Sequence, residues 1–173
     1  RAEGPLKEHF AEVRKAADNP KPPGEWSAIQ RPPRREGSAY EAYDWGDRLM
    51  GAALVQRIEP DPQRLERIRQ MLSASLDYYQ SCFTQGKSVS WYSFSRLEWL
   101  SALDWTWNEL PETERMDLAR GFLQHVDEAL HGKAKQRQNR GGYQTGYYGD
   151  DNLALFTGLA LHRTGADDAM ALR

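Results

Sequence analysis

The chain is predicted to be all-α, an assembly of antiparallel helical hairpins. Three observations carry this. Apolar residues recur at three- and four-residue steps in segment after segment, which is the spacing of one helix face. No stretch alternates apolar and polar residues long enough to suggest a strand. Short runs rich in proline and glycine separate the periodic segments and stop helices where they stand.

Size and charge set the bounds. At 173 residues the chain suits one domain of ordinary size that buries a core without staples. Cys82 is the single cysteine; it excludes an internal disulfide and reads as a small buried hydrophobe. A formal charge of -2 asks for neither nucleic acid nor an anionic membrane. No apolar run approaches the roughly 18 residues of a membrane span. Six tryptophans and eight tyrosines are the compositional oddity. They fit a carbohydrate-handling surface, and equally a core rich in aromatics.

Pro5 to Ala17 reads as a short helix with Leu6, Phe10 and Val13 on one face. Five prolines and two glycines between Asn19 and Gly37 then rule out regular structure. That segment is an extended wrap or linker, which Trp26 and Ile29 can pin to the helical body. Arg31, Arg34 and Arg35 read as solvated charges. Residues 1–37 are therefore taken as a helix and proline-rich wrap, and 38–173 as the helical domain.

Ser38 with Glu41 three residues on makes a capping box. The helix it opens runs to about Ile58, with Tyr43, Leu49, Met50, Ala53, Leu54 and Ile58 apolar. After Pro60-Asp61-Pro62 a further helix reaches about Phe83, with Leu65, Ile68, Met71, Leu72, Leu76 and Tyr79 in phase. Repeated hairpins of this kind build bundles, solenoids or toroids. No fixed-period sequence repeat is visible, which argues against the regular solenoids.

The stretch from Trp91 to Leu130 organises the rest. In its first helix Phe94, Leu97, Leu100, Leu103 and Trp107 form one stripe, so Trp107 is expected to be buried. Trp105, about 200° round from Trp107, is expected to face a second helix layer or a groove. Pro111 suits the start of the next helix. Glu112 and Glu114 complement that helix's positive end. Met116, Leu118, Ala119, Phe122, Leu123, Val126 and Leu130 are its apolar side, and Gly132 stops it.

The loop after Gly132 carries Lys133, Lys135, Arg137 and Arg140, four glycines (Gly141, Gly142, Gly146 and Gly149), and Tyr143, Tyr147 and Tyr148. Cations pair with carboxylates or sulfates, and exposed rings stack on apolar sugar faces. The parts suit an anionic sugar chain. They are also those of a solvated loop, and single-stranded nucleic acid uses similar ones. Asp150, Asp151 or Asn152 caps the next helix. Leu153, Phe156, Leu159 and Ala160, then Met170 and Leu172, are its apolar residues and those of the tail. Gly165 closes it, and Asp167-Asp168 starts a last one. His9, His125 and His162 are scattered without metal-ligand spacing. With no phosphate loop and no cysteine cluster, no cofactor or metal is expected.

The run "SALDWTWNELPETER" resembles the "A-x-x-Y-D-W-x-x-x-x-L-x-x-x-x-R" segment of the heparinase II/III-like polysaccharide lyases. Asp104-Trp105 match the Asp-Trp pair, Leu110 the leucine, and Arg115 the arginine. Leu103 stands where the family has tyrosine. The resemblance covers roughly Tyr40 to the end. It implies part of an incomplete (α/α) toroid, which a β-sandwich follows in the family. It also implies uronate-containing polysaccharide as substrate, cleavage by β-elimination, and a periplasmic or secreted location. The chain is then expected to be a piece of a longer protein, with further helices and the sandwich in the same polypeptide as its partners.

In that family an asparagine or histidine neutralises the uronate carboxylate, and a tyrosine on a later helix moves the proton. This sequence offers Asp150, Asp151 and Asn152 at the matching place and no histidine, so Asn152 is the neutralising candidate. Tyr143, Tyr147, Tyr148, Arg137, Arg140, Trp91 and Trp105 are the candidate aromatic and basic wall for substrate. "YYGDDNLALFTGLALHRTG" also resembles the Asp-Asp segment of the α-mannanase-type glycoside hydrolases, complete (α/α) barrels in which two carboxylates act as nucleophile and general acid. That would make Asp150 or Asp151 catalytic. Capping alone explains the same pair, and a non-catalytic helical domain that binds a glycan or a protein is the third reading.

Overall fold

A computed structural model describes residues 4–18, 44–84, 94–131 and 150–172. They form helices α1 (Pro5–Asp18), α2 (Asp44–Ile58), α3 (Pro62–Thr84), α4 (Phe94–Thr106), α5 (Glu112–His131), α6 (Asp150–Leu161) and the single turn α7 (Asp168–Ala171). The fold is all-α, and no strand occurs among the described residues. The capping box at Ser38 and the proline-rich segment lie outside them.

The helices fall into two rows. α2 packs on α4 and α4 on α6, while α3 packs on α5; α1 leans on α2. Tight turns join α2 to α3 and α4 to α5, so each pair is antiparallel. At the first turn Asp61 caps α3: its carboxylate accepts from the amides of Gln63 at 2.7 Å and Arg64 at 3.3 Å, with Pro62 placed where a missing donor costs nothing. Those amide bonds hold the Asp61 carboxyl below its ordinary pKa. Buried Gln56 staples the two turns together. Its amide donates to Glu109 at 2.7 Å, and its carbonyl accepts from the Asp61 amide at 3.0 Å.

The core lies between the rows. α3 contributes Ile68, Met71, Leu72, Leu76 and Tyr79, and α5 contributes Leu118, Ala119, Phe122, Leu123 and Val126, as the helical spacing predicts; Leu65, Met116 and Leu130 are partly buried at its edge. Arg64, 3% exposed, ties α1 to α3 by donating to Asp18 at 2.7 and 3.0 Å. Arg69 on α3 grips Glu114 at the start of α5 at 2.6 Å. Asp167 caps α7 by accepting from the Met170 amide at 2.9 Å, and Gly165 takes the positive φ of 80° that ends the preceding turn.

Several expectations need correction. α4 ends at Thr106, so Trp107 stands in the turn and is half-buried. The stripe that α4 buries is Arg96, Trp99, Leu100, Leu103 and Thr106, with Leu97 at its margin. Leu54 and Ile58 on α2 are exposed, because that helix buries the opposite face through Leu49, Ala52, Ala53 and Gln56. Leu6 is exposed at the first turn of α1, where only Phe10, Val13 and Ala17 reach the body. Phe156, Leu159 and Leu172 are exposed too, since α6 turns Leu153, Thr157 and Leu161 inward. Cys82 lies in α3, with its side chain outside the described residues.

Candidate functional site

Helix direction decides what the fold brings together. Gln56 and Glu109 meet near the C-terminal ends of α2 and α4. Arg120 on α5 donates to the Ala166 carbonyl, beyond the end of α6, at 3.0 Å. Residues 59–61, 107–111 and 162–167 therefore share one end of the array. α2, α4 and α6 all run away from the other end, so the positive ends of their dipoles face it. Segments 85–93 and 132–149 join α3 to α4 and α5 to α6, and their attachment points lie at that same end.

The sequence-predicted residues sort accordingly. Asp150, Asp151 and Asn152 form the first turn of α6, at the dipole end, with their side chains outside the described residues. Trp91, Arg137, Arg140, Tyr143, Tyr147 and Tyr148 lie wholly outside them. Trp105 is at the other end. It is half-buried against the core in the last turn of α4, roughly 16 Å along the axis from Phe94. The fold does not bring it together with the start of α6.

Below the dipole end lies a buried polar pair absent from the sequence-based candidates. Arg96 in the first turn of α4 and His125 on α5 are each 2% exposed. The His125 ring lies 5.5 Å from that of Tyr79 and 6.0 Å from that of Phe122. Burial pushes its pKa well below the ordinary histidine value, and the charge of Arg96 acts in the same direction. His125 is thus neutral near pH 7. The signal for both was phase: His125 stands three residues after Phe122, and Arg96 three before Trp99, inside apolar stripes.

The residues of the Asp-Trp segment clasp the α4–α5 hairpin. Asp104 is exposed, and its carbonyl accepts from the Trp107 amide at 3.3 Å. Leu110 is buried at 4%. The Arg115 guanidinium sits 5.3 Å from the Trp107 ring centroid and donates to the Trp107 carbonyl at 3.1 Å, a cation–π contact and a hydrogen bond from one side chain.

Between α5, α6 and α7 a shallow apolar cleft is lined by Leu123, Val126, Ala154, Thr157 and Met170. Asp127 and His131 stand at its rim, 3.0 Å apart. Among the described residues no three of His, Cys, Asp and Glu gather as a metal-ligand set, and no helix is long and apolar enough to cross a membrane. Compared with known proteins, the chain matches no family model, no curated protein and no solved structure.

Proposed function

We propose that the chain is part of a heparinase II/III-like polysaccharide lyase that cleaves uronate-containing polysaccharide by β-elimination, in the periplasm or outside the cell. In this reading its hairpins are an arc of an incomplete (α/α) toroid, and the substrate lies across the dipole end. The observation that carries it is the shared end: three helix dipoles point there, and the basic, tyrosine-rich segment joins α6 at the same place. Positive potential at helix starts favours anions, and an acidic sugar chain is one. The contact of Arg115 with Trp107 is a second, smaller support, since it gives the matched arginine a place in the α4–α5 turn.

The chemistry assigns roles. Removing the proton beside a uronate carboxylate would build a dianion unless the carboxylate is neutralised. Asn152, at the start of α6, donates to that carboxylate. Arg137 and Arg140 pair with acidic groups along the chain, and Tyr143, Tyr147, Tyr148 and Trp91 stack on sugar faces. The proton-abstracting tyrosine belongs to a further helix of the full protein; loss of the C5 proton and cleavage of the C4–O glycosidic bond form a new double bond between C4 and C5 of the uronate, and the departing sugar oxygen leaves as a hydroxyl.

The test uses the full-length protein with alginate, heparan, chondroitin and mannan, followed by near-ultraviolet absorbance and by reducing ends. New absorbance together with new reducing ends from a uronate polymer is expected. Reducing ends from mannan without absorbance would replace this reading with hydrolysis through Asp150 or Asp151. Silence on every polymer would leave a helical binding domain.

A further inference from the structure

Helix α1 joins the body through little apolar contact. Of its 14 residues only Ala17 is buried, Phe10 and Val13 pack at the margin of the core, and Leu6 faces solvent. An isolated helix of this length is marginal in water. What α1 has instead is a polar catch at its last residue. The Asp18 carboxylate accepts from Arg64 Nη2 at 2.7 Å and from Arg64 Nε at 3.0 Å, and Arg67 Nη2 stands 3.8 Å away. Arg64 is 3% exposed, and its Nη1 donates to the Glu59 carbonyl at 2.6 Å. Asp18 is therefore the carboxylate bonded to a buried guanidinium. Its position speaks for the same role. A carboxylate in the last turn opposes the helix dipole, so Asp18 disfavours α1 until Arg64 meets it.

We propose that α1 is a latch that opens as a unit while the other helices stay folded, with Asp18 and Arg64 as its catch. The core between the rows is built by α3, α4 and α5, and α1 adds to it a single buried alanine. Local opening follows such seams, where few apolar contacts cross. Residues 19–43 join α1 to α2. A connection of that length reaches about 80 Å when fully extended, so α1 can leave without drawing α2 apart. Arg14 meets Glu59 at 3.1 Å as a second tie, weaker than the first because both groups are largely solvated. Opening uncovers α2 around Gly51, where Val13 Cγ1 lies 3.5 Å from the place a Cβ would take. The latch stands apart from the lyase reading, and either can fail alone.

Hydrogen exchange of the 173-residue chain, read by mass spectrometry at neutral pH, tests it. Amides of residues 9–18 are expected to exchange through an opening that leaves those of 68–79 and 118–126 protected. D18N should speed the α1 amides about tenfold or more, the loss expected for a charge-assisted bond, and leave the core amides unchanged. D18E keeps the carboxylate and should recover part of the protection. R64M should act as D18N does, and the two together should add little to either alone. The free peptide of residues 4–18 separates the catch from helix propensity: there D18N should leave helicity equal or higher, since it removes a charge from the wrong end of the dipole. Should R64M lose the core, the D18N and D18E pair decides alone. Exchange of α1 only together with the core amides, or parent-like protection of α1 in D18N, overturns the proposal. A D18N peptide that loses helix to match would move the effect into α1 itself and overturn the catch.

Discussion

The indole of Trp99 lies flat on the ring of Phe122, centroids 4.4 Å apart and planes 8° from parallel. Its Nε1 donates to the Leu72 carbonyl at 2.9 Å. One fully buried side chain thus joins α4 to α5 by stacking and to α3 by a hydrogen bond. Trp99→Ala should cost about 3–5 kcal/mol, a large share of a typical domain's stability. Trp99→Phe keeps the stack and loses the donor, so about 1–2 kcal/mol is expected. Urea unfolding measures both. A cost below about 1 kcal/mol for Trp99→Ala would mean that this indole does not hold the rows together.

The same residue shows what sequence reading reaches. The stripe from Ile68 to Tyr79 is legible because α3 alternates aliphatic and charged residues at helical spacing and buries nearly all of the former. α4 is apolar on several sides, so two phases fit it. The choice fell to which face meets Phe122 and Leu72, a tertiary fact. Arg96 and His125 were hidden for the opposite reason: charge normally marks a surface, and here it marks the interior. On α6 the aliphatics suggested a core face, yet half of them point outward. Helix existence and the chain's punctuation at Asp61, Pro111 and Gly165 came from local chemistry. The first turn of α6 was legible as a helix start. The rest of the candidate wall lies mostly in segments outside the described residues.

His125 gives stability a pH dependence with a definite sign. Its folded pKa lies well below the ordinary histidine value, while the unfolded chain titrates near about 6.5. Below that pH the unfolded state binds a proton that the folded state refuses, so stability rises with pH. Stability should therefore fall as pH drops through about 6.5, and go on falling until the depressed folded pKa is reached. Thermal midpoints from about pH 8 to about pH 5 read this window. His125→Phe, close in size and set between Tyr79 and Phe122, should flatten the slope. An unchanged slope would assign it to other groups. The loss linked to Asp61 falls at lower pH, starting as pH drops through the usual aspartate value and continuing below it.

Two helix glycines should respond differently to alanine. A Cβ on Gly158 would come within 2.6 Å of the Ala171 carbonyl oxygen, a backbone atom of α7. A Cβ on Gly121 would meet Leu76 Cδ2 at 2.8 Å, the end of a flexible side chain. Each replacement gains about 1 kcal/mol of helix propensity, and overpacking costs about 1–3 kcal/mol. Gly121→Ala should be near neutral. Gly158→Ala should be destabilising by about 1 kcal/mol, and should loosen α7, read as faster hydrogen exchange at Met170 and Ala171. Equal effects would contradict the close approach of α7 to α6.

The basic segment before α6 should matter to binding even if the chain performs no chemistry. Lys133, Lys135, Arg137 and Arg140 are four cations within eight residues of a near-neutral chain. One exposed ion pair is worth only about 0–1 kcal/mol, so a single substitution should change little. Four acting together on a polyanion add up, and are screened beyond about 8–10 Å at physiological salt. Replacing all four with glutamine should leave thermal unfolding unchanged and weaken binding to alginate or heparan, and the lost part should be the salt-sensitive part. Tyr147→Ala with Tyr148→Ala should weaken binding with less salt dependence, because stacking on a sugar face carries no net charge. Titrations at low and high salt separate the two. Parent-like binding of the fourfold variant at low salt would remove this segment from the sugar site, and unfolding of that variant would make the segment structural instead.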